Sequence, residues 1–507
     1  MLPLIAYTVV SVASCIWLIK HLQTAVLSPL SQIPNAHFTT PYSKLWLFWH
    51  RANDTEHKGR YAAHKKYGPV IRIAPRELSI NCLEDGVKTV YGGGFEKGEW
   101  YSMFLNYGHS VLFSMKEAPV HTERKRMLSH VYSNSFIQAS ESLTQILRNI
   151  TCNKFIPRMR VWAETGIPVN VFQENKALFM DLTSAYLLGL KNASNLVEDP
   201  DKKMVLRNFE LGLGGLFWKL DVPNLTKWMA RFGMSPLNKG TASASQAMED
   251  FILSMANKAR DTLQSEEAEE IECYPTVYGQ LRQKLEASET VSADQLDTVV
   301  AAEMLDHIAA SHEGLSITVS YLMAELARHT SITSRLQKEL LSVNLNITPS
   351  QEIDSLPLLN AILMETLRLY PAGLGAFTRQ VPEKGAMIGK YSVPGGVTVS
   401  ASAYTLHRNS DVFPDLLNWN PDRWLDASPE AKKQMLRWHW AFGSGGRMCI
   451  GNHFAIRMIK AVTVAVFKEF ESVTVSETKI EPVEGFIGHP AGYSIMLAFK
   501  RADTGRS

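Results

Sequence analysis

The sequence predicts a mainly α-helical chain with minor β structure, folded as a single large domain behind an N-terminal hydrophobic segment. Long stretches of helical periodicity fill most of the chain between about 115 and 345, and short alternating segments occur only near 70–80 and beyond about 378. No composition shift or Gly/Ser linker divides the chain after residue 42. With 507 residues, 45% hydrophobic and 20% charged, the chain has the composition of a protein that buries a large core.

Residues 2–19 carry no charge and are mostly apolar, about the shortest span that crosses a bilayer. Lys20 and His21 follow directly, the reverse of the charge order in a cleavable signal peptide. Residues 1–21 are therefore expected to form an uncleaved membrane anchor with the rest of the chain on the cytosolic side. Residues 22–41, with Pro29, Pro34 and Pro41, read as a stiff extended linker, and 42–507 as the folded domain. The stretch KYGPVIRIAPRELSI, punctuated by Gly68 and Pro75, reads as strands about a turn. GTASASQ (240–246) and SEEAEEIE (265–272) read as solvated loops or helix ends.

Ser292 opens SADQ, a capping-box pattern, and no proline follows until Pro349. A helix of roughly 35 residues, about 50 Å long, is predicted from there. Inside it, AASHEGLSIT (309–318) sets His312, Glu313 and Gly314 side by side. Glycine costs about 1 kcal/mol relative to alanine in a helix, and a carboxylate on an apolar segment needs a partner. Beyond 378, segments such as VPGGVTVSASAY predict short strands and turns, and a last helix is expected after Gly451.

Several function classes are excluded. Net charge is only +2 with no basic block, so nucleic acid is not an expected partner. The five cysteines, Cys15, Cys82, Cys152, Cys273 and Cys449, are widely spaced without any CxxC, which argues against a disulfide framework or structural zinc and for a reducing compartment. His312-Glu313 does not begin a zinc-protease HExxH, because residue 316 is serine.

The most specific stretch is WAFGSGGRMCIGNHFA, residues 440–455. Gly443, Gly445, Gly446 and Gly451 let the backbone wrap closely around a large planar ligand, and backbone N–H groups can stabilise negative sulfur at Cys449. Arg447 adds an anion partner two residues away. A structural cysteine in a tight turn is the competing reading. However, Phe442, Gly445, Arg447, Cys449 and Gly451 fill every fixed position of FxxGxRxCxG, which chance supplies in on the order of one in ten thousand chains. With this motif the chain resembles the cytochrome P450 family, in which a cysteinate is the axial ligand of a haem iron.

Other landmarks follow in the family's order. Glu365 and Arg368 match ExxR, and Arg423 in NPDRW resembles the third member of its ion network. The resemblance implies haem b, with Cys449 on the iron and Phe442 in its loop, and with Arg447, Arg379, His121 and Lys125 toward the propionates. Arg124 competes with Lys125 for that role. The long central helix is expected to pass over the distal face of the haem. There Ala310, Ser311, His312, Glu313 and Gly314 occupy the positions of an Ala/Gly-Gly-x-Asp/Glu-Thr pattern. Glu313 retains the proton-relay acid, His312 is its neighbour, and Gly314 replaces the alcohol. Ser316 and Thr318 point to other helix faces, so water in the Gly314 gap is the expected substitute.

The resemblance suggests a fungal microsomal, secondary-metabolite member, anchored in the endoplasmic reticulum membrane. Such an enzyme takes O2 and NADPH-derived electrons from NADPH-cytochrome P450 reductase, with cytochrome b5 as a further donor. Lys432, Lys433 and Arg437 are candidates to meet the reductase. The reaction is either ordinary hydroxylation or, given Gly314, desaturation, ring expansion or coupling. By family position the pocket draws on 100–113, 209–218, the central helix, 372–377 and 485–489. Trp100, Tyr101, Phe104, Phe209, Phe217, Trp218 and Phe377 there suggest a large hydrophobic substrate. ELGLGGLFWKL (210–220) is a candidate to dip into the bilayer. The alternative is a haem-binding membrane protein that senses or carries a ligand without turnover.

Overall fold

The computed structural model describes residues 27–199, 203–265, 273–342, 350–375, 377–476 and 478–502, together with Val12, Ile16, Ile19, Gln23 and Ala25. The expected anchor, residues 1–21, lies almost wholly outside the described residues, as does most of 265–272. Among the described residues no helix is long and apolar enough to cross a membrane.

Helices α1 (Leu45–Ala52) and α2 (Glu56–Tyr67) lead into strands β1 (Val70–Ala74) and β2 (Glu77–Ile80), which pair antiparallel with Val70 opposite Ile80. Both strands are buried along their whole length, the polar Arg72, Glu77 and Ser79 included, so the alternation in their sequence marks no solvent-facing side. The proline-containing segment before them docks on this sheet. Leu30 and Ile33 are buried, the Arg72 N–H donates to the Pro34 carbonyl, and the Ala36 N–H donates to Arg72.

Helix α3 (Ala118–Leu128) follows, then α4 (Val171–Leu188). The Asn170 side chain caps α4 by accepting from Phe172 N–H. Gly189 ends it at φ 89°, where a Cβ would lie 2.1 Å from the Cys273 carbonyl oxygen. Helices α5 (Met204–Leu213) and α6 (Pro223–Arg231) lie beyond it. GTASASQ supplies the first turns of the helix Thr241–Leu263.

The predicted long helix is α7 (Leu296–Arg328), 33 residues. At about 1.5 Å per residue it spans roughly 50 Å. It begins four residues later than the capping-box reading placed it: Ser292 accepts from Gln295 N–H in a preceding turn, and Gln295 makes no side-chain cap. At its other end His329 leaves helical geometry at φ −118°, ψ 67°. Residues on every face of α7 are buried, as expected of a helix at the centre of a large core.

Helix α8 (Pro357–Leu369) carries the ExxR element. Strands β3 (Arg379–Gln380) and β4 (Thr398–Ser400) complete a four-stranded sheet in the order β1-β2-β4-β3. The expected last helix is α9 (Asn452–Phe467), followed by a hairpin of β5 (Pro482–Glu484) and β6 (Gly488–Pro490).

Candidate active site

The loop 440–451 is shaped by its own hydrogen bonds. Cys449 N–H donates to the Phe442 carbonyl at 3.0 Å, Gly443 N–H to Trp440, and Met448 N–H to Gly445. Gly445 has φ 71°, and a Cβ there would lie 2.1 Å from the Tyr91 carbonyl oxygen, so only glycine fits. The loop hands directly into α9, with Gly451 as its N-cap. Cys449 is a free cysteine. Its thiol is pushed up by burial and drawn the other way by the Gly451 N–H and the Lys125 ammonium.

Around that cysteine the chain gathers basic side chains. Burial lowers the Lys97 ammonium to about 6, and repulsion from Arg447 and Arg379 adds to this. Burial, then Arg447 and its basic neighbours, lower His121 to about 3, and burial with Arg379 lowers Arg447 to about 10. Arg447 donates to the Met115 and Lys116 carbonyls at 2.6 and 2.5 Å. Arg379 donates to the Thr378 carbonyl and to Tyr101 Oη, and Lys125 donates to the Gly446 and Met448 carbonyls. Among the described residues none of these five groups forms an ion pair with a carboxylate, although the Glu96 and Asp306 charges are felt there.

Above this cluster runs α7. Glu313 Oε1 lies 2.6 Å from Lys176 Nζ of α4, both side chains buried, and Lys176 also reaches Glu210 of α5 at 3.1 Å. Burial alone would raise the Glu313 carboxyl, but Lys176 and His312 hold it well below the usual glutamate range. His312 donates through Nδ1 to the Ile308 carbonyl, stands edge-on to Phe209, and sets Nε2 3.4 Å from Glu313. Ser311 Oγ meets Thr183 at 2.9 Å. Gly314 has open space beside it: a Cβ would meet only Ala372 Cβ, at 4.0 Å. The nearby hydroxyls are spent on backbone, Ser316 on the Glu313 carbonyl and Thr318 on that of Gly314.

Glu365 is fully buried and fully partnered. Oε1 accepts from Arg368 Nη2 (2.7 Å), Arg423 Nε (3.0 Å) and Asn420 N–H (3.0 Å); Oε2 accepts from Arg368 Nε and Trp424 Nε1 (each 2.9 Å). Arg368 also donates to the carbonyls of His407, Leu416 and Asn418, which ties α8 to the segment before the cysteine loop.

A sequence model described as Cytochrome P450 matches residues 40–496. The chain belongs to the cytochrome P450 family. Similar proteins include cytochrome P450 monooxygenase hepC of Aspergillus oryzae, 26% identical over 88% of this chain and 88% of that protein. Another is avaI of Aspergillus versicolor, 26% identical over 78% and 93%. A third is tazI of Aspergillus terreus, 27% identical over 87% and 88%. The chain is thus an oxidoreductase, a P450 monooxygenase, and the family implies a haem cofactor.

The residues present fit that group. A soft sulfur ligand sits in a loop whose turns at Gly443 and Gly445 need glycine, beside Arg447, Arg379 and Lys125, which among the described residues pair with no carboxylate and suit two propionates. Lys125 and Arg124 separate by direction: Arg124 turns to Glu303 at 2.5 Å, leaving Lys125 beside the cysteine loop. Lys97, Lys176 and Glu210 belong to the site although their sequence context did not mark them. Lys176 ends the polar stretch Gln173-Glu174-Asn175-Lys176 at the start of α4, so nothing in its sequence context set it apart from a solvated lysine.

A cleft between α1, the segment after α5 and the β5–β6 hairpin is lined by Trp100, Leu216, Phe217, Gly375, Gly485 and Phe486, among others. These fall in the expected pocket segments. Phe209 does not reach this cleft; it is buried against His312. Within 210–220, Phe217 and Trp218 are half-buried, whereas Leu225, Trp228, Phe232 and Met234 of the next segment are exposed. The exposed apolar face therefore follows the stretch expected to dip into the bilayer.

Proposed function

We propose that this P450 binds haem b through Cys449, with Arg447, Arg379, His121, Lys125 and Lys97 taking the propionates, and oxidises a hydrophobic small molecule. When bound, the haem activates dioxygen with electrons and protons, so that one oxygen atom enters the substrate and the other leaves as water. The observation that carries the reading is the thiol of Cys449 in its glycine-built loop, beside Arg447, Arg379 and Lys125, which among the described residues form no ion pair with a carboxylate.

The chain's own residues supply position and protons. Lys176 stands between the Glu313 carboxylate on the central helix and the partly exposed Glu210, so its ammonium can give a proton to Glu313 Oε1 and, once neutral, take the replacement from a protonated Glu210. Gly314 supplies no hydroxyl, and a Cβ there would meet only Ala372 Cβ, at 4.0 Å, so a water is the candidate occupant of the space a side chain would take. Support for an outcome other than simple hydroxylation is this missing alcohol; desaturation, ring expansion and coupling are the candidate outcomes. The maintained Glu313–Lys176 pair favours turnover over ligand carriage.

Electrons come from NADPH through a cytochrome P450 reductase, with cytochrome b5 as a second donor. Lys432 and Lys433 remain exposed for such a partner, whereas Arg437 is paired with Glu84. Localisation at the endoplasmic reticulum membrane is supported by the apolar residues 2–19 and by the exposed apolar side chains of 225–234. The Aspergillus relatives support a place in fungal secondary metabolism. Reconstitution with reductase tests the proposal: NADPH consumption that rises with substrate supports turnover, and ligand binding without consumption supports the carrier reading.

A further inference from the structure

A small cavity lies at the root of the β5–β6 hairpin, apart from the substrate cleft. Its walls include Tyr321 of α7, Tyr370 and Leu374 beyond α8, Arg408, and Glu484 and Gly488 of the hairpin. Tyr321, Arg408 and Glu484 are 0%, 7% and 3% exposed. Among the described residues Tyr321 Oη, Arg408 Nε and Glu484 Oε2 form no hydrogen bond. A guanidinium N–H, a carboxylate oxygen and a phenol are thus buried around one space without matching one another, which is costly unless something in that space matches them.

Each of the three side chains is held in place by its other contacts. Tyr321 stacks on Tyr370, with ring centroids 4.1 Å apart and planes 3° from parallel, and the Tyr370 hydroxyl donates to Glu325. Arg408 donates through Nη1 to the Tyr404 carbonyl at 3.3 Å and through Nη2 to the Leu369 carbonyl at 3.0 Å, with its guanidinium 3.7 Å above the Tyr404 ring. Glu484 Oε1 meets Lys58 Nζ at 3.3 Å, and the Tyr404 hydroxyl approaches the same carboxylate without bonding Oε2. The Arg408 and Glu484 charges act on each other, yet among the described residues no ion pair joins them.

We propose that this cavity is a binding site for a single water molecule, which accepts from Arg408 Nε–H and Tyr321 Oη–H and donates to Glu484 Oε2. Charge selects a neutral occupant, because the walls carry one cation and one anion, and size selects a small one, because the space is about that of one water. Three hydrogen bonds are the usual number for a buried water. Glu484 belongs to two spaces at once, since it also lines the cleft beside Gly485 and Phe486. Next to it the hairpin tip is fixed by backbone: the Phe486 carbonyl accepts from the Leu374 and Gly375 N–H groups, and Gly488 N–H donates to the Ala372 carbonyl at 2.9 Å. A Cβ on Gly375 would lie 2.4 Å from the Phe486 ring, so the ring seats directly on the chain. The water ties the root of this hairpin to the central helix α7, and so holds Phe486 in the cleft wall.

A crystal structure of the full-length, haem-loaded protein tests the site directly. An ordered water within hydrogen-bond distance of Tyr321 Oη, Arg408 Nε and Glu484 Oε2 is expected. A cavity without ordered solvent, one holding an ion, or one closed by a direct Arg408–Glu484 ion pair overturns the proposal. Tyr321→Phe keeps the ring on Tyr370 and removes only the hydroxyl, and amide hydrogen exchange of the same holoprotein reads the effect. Exchange across 482–490 should speed up by about fivefold, the loss of one hydrogen bond, while α8 exchanges as in the wild type. Unchanged exchange in the hairpin overturns its anchoring by the water, and so does an equal acceleration in α8, which marks a general loss of stability. Should Tyr321→Phe not load haem, the wild-type crystal structure alone decides.

Discussion

Lys176 and Glu313, on the neighbouring helices α4 and α7 and both buried, stand 2.6 Å apart from Nζ to Oε1. Lys176→Met leaves Glu313 as a buried charge without its cation, and a loss of about 3–5 kcal/mol of stability is expected. Lys176→Met combined with Glu313→Gln should recover most of it. Thermal unfolding of the three proteins checks this, and additive losses in the double variant would contradict it.

The same pair sets an acid dependence. Burial acts to raise the Glu313 carboxyl, and Lys176 with His312 overcomes that and depresses it below the usual range. A depressed carboxylate contributes stability that is fully present above the unfolded value, about 4.3, and is lost as pH falls toward the folded value. Unfolding temperatures measured downward from pH 7 should therefore decline below about pH 4 more steeply in the wild type than in Glu313→Gln.

Glu365 accepts five hydrogen bonds, two of them from Arg368, and is fully buried. Glu365→Ala strands two guanidinium groups in the core, and the expected outcome is no recoverable haem-loaded protein. Absorbance ratios after expression give the answer; a haem-replete Glu365→Ala protein would show that the network is dispensable.

Gly314 can accept a side chain, because the nearest obstacle to a Cβ is Ala372 at 4.0 Å. Gly314→Ala should raise stability by up to about 1 kcal/mol through helix propensity. Gly314→Thr should fold normally and alter the coupling of NADPH consumption to product. An unchanged product spectrum with unchanged coupling would remove any role for the gap.

Lys97 is held down by burial and by Arg447 and Arg379, so an anion beside it relieves a real strain on the folded chain. Lys97→Met removes one charge-assisted partner of a propionate, and haem loss to an apo-globin acceptor should accelerate by about tenfold. Unaltered haem transfer would place Lys97 outside the cofactor site.

The parts of the site legible in the sequence are those whose geometry is local. The cysteine loop shows as glycines at fixed spacing from Cys449, and Glu365 with Arg368 shows as an i,i+3 pair on one helix face. Lys97, Lys176 and Glu210 were not legible because their partners come from distant segments, and one lysine in a helix looks like another until packing places it. Arg124 and Lys125 are adjacent in sequence, yet one residue of helical rotation sends one to Glu303 and the other to the cysteine loop. Ser292 carried a correct pattern at the wrong place, since tertiary packing starts α7 at Leu296.

The most direct test of the central claim is the reduced carbon-monoxide difference spectrum of the purified protein and of Cys449→Ser. A thiolate-ligated haem through Cys449 predicts the long-wavelength Soret band of a P450 in the wild type and its loss in the variant. The shorter-wavelength band of a haem without thiolate in the wild type, or an unchanged long-wavelength band in Cys449→Ser, would contradict it.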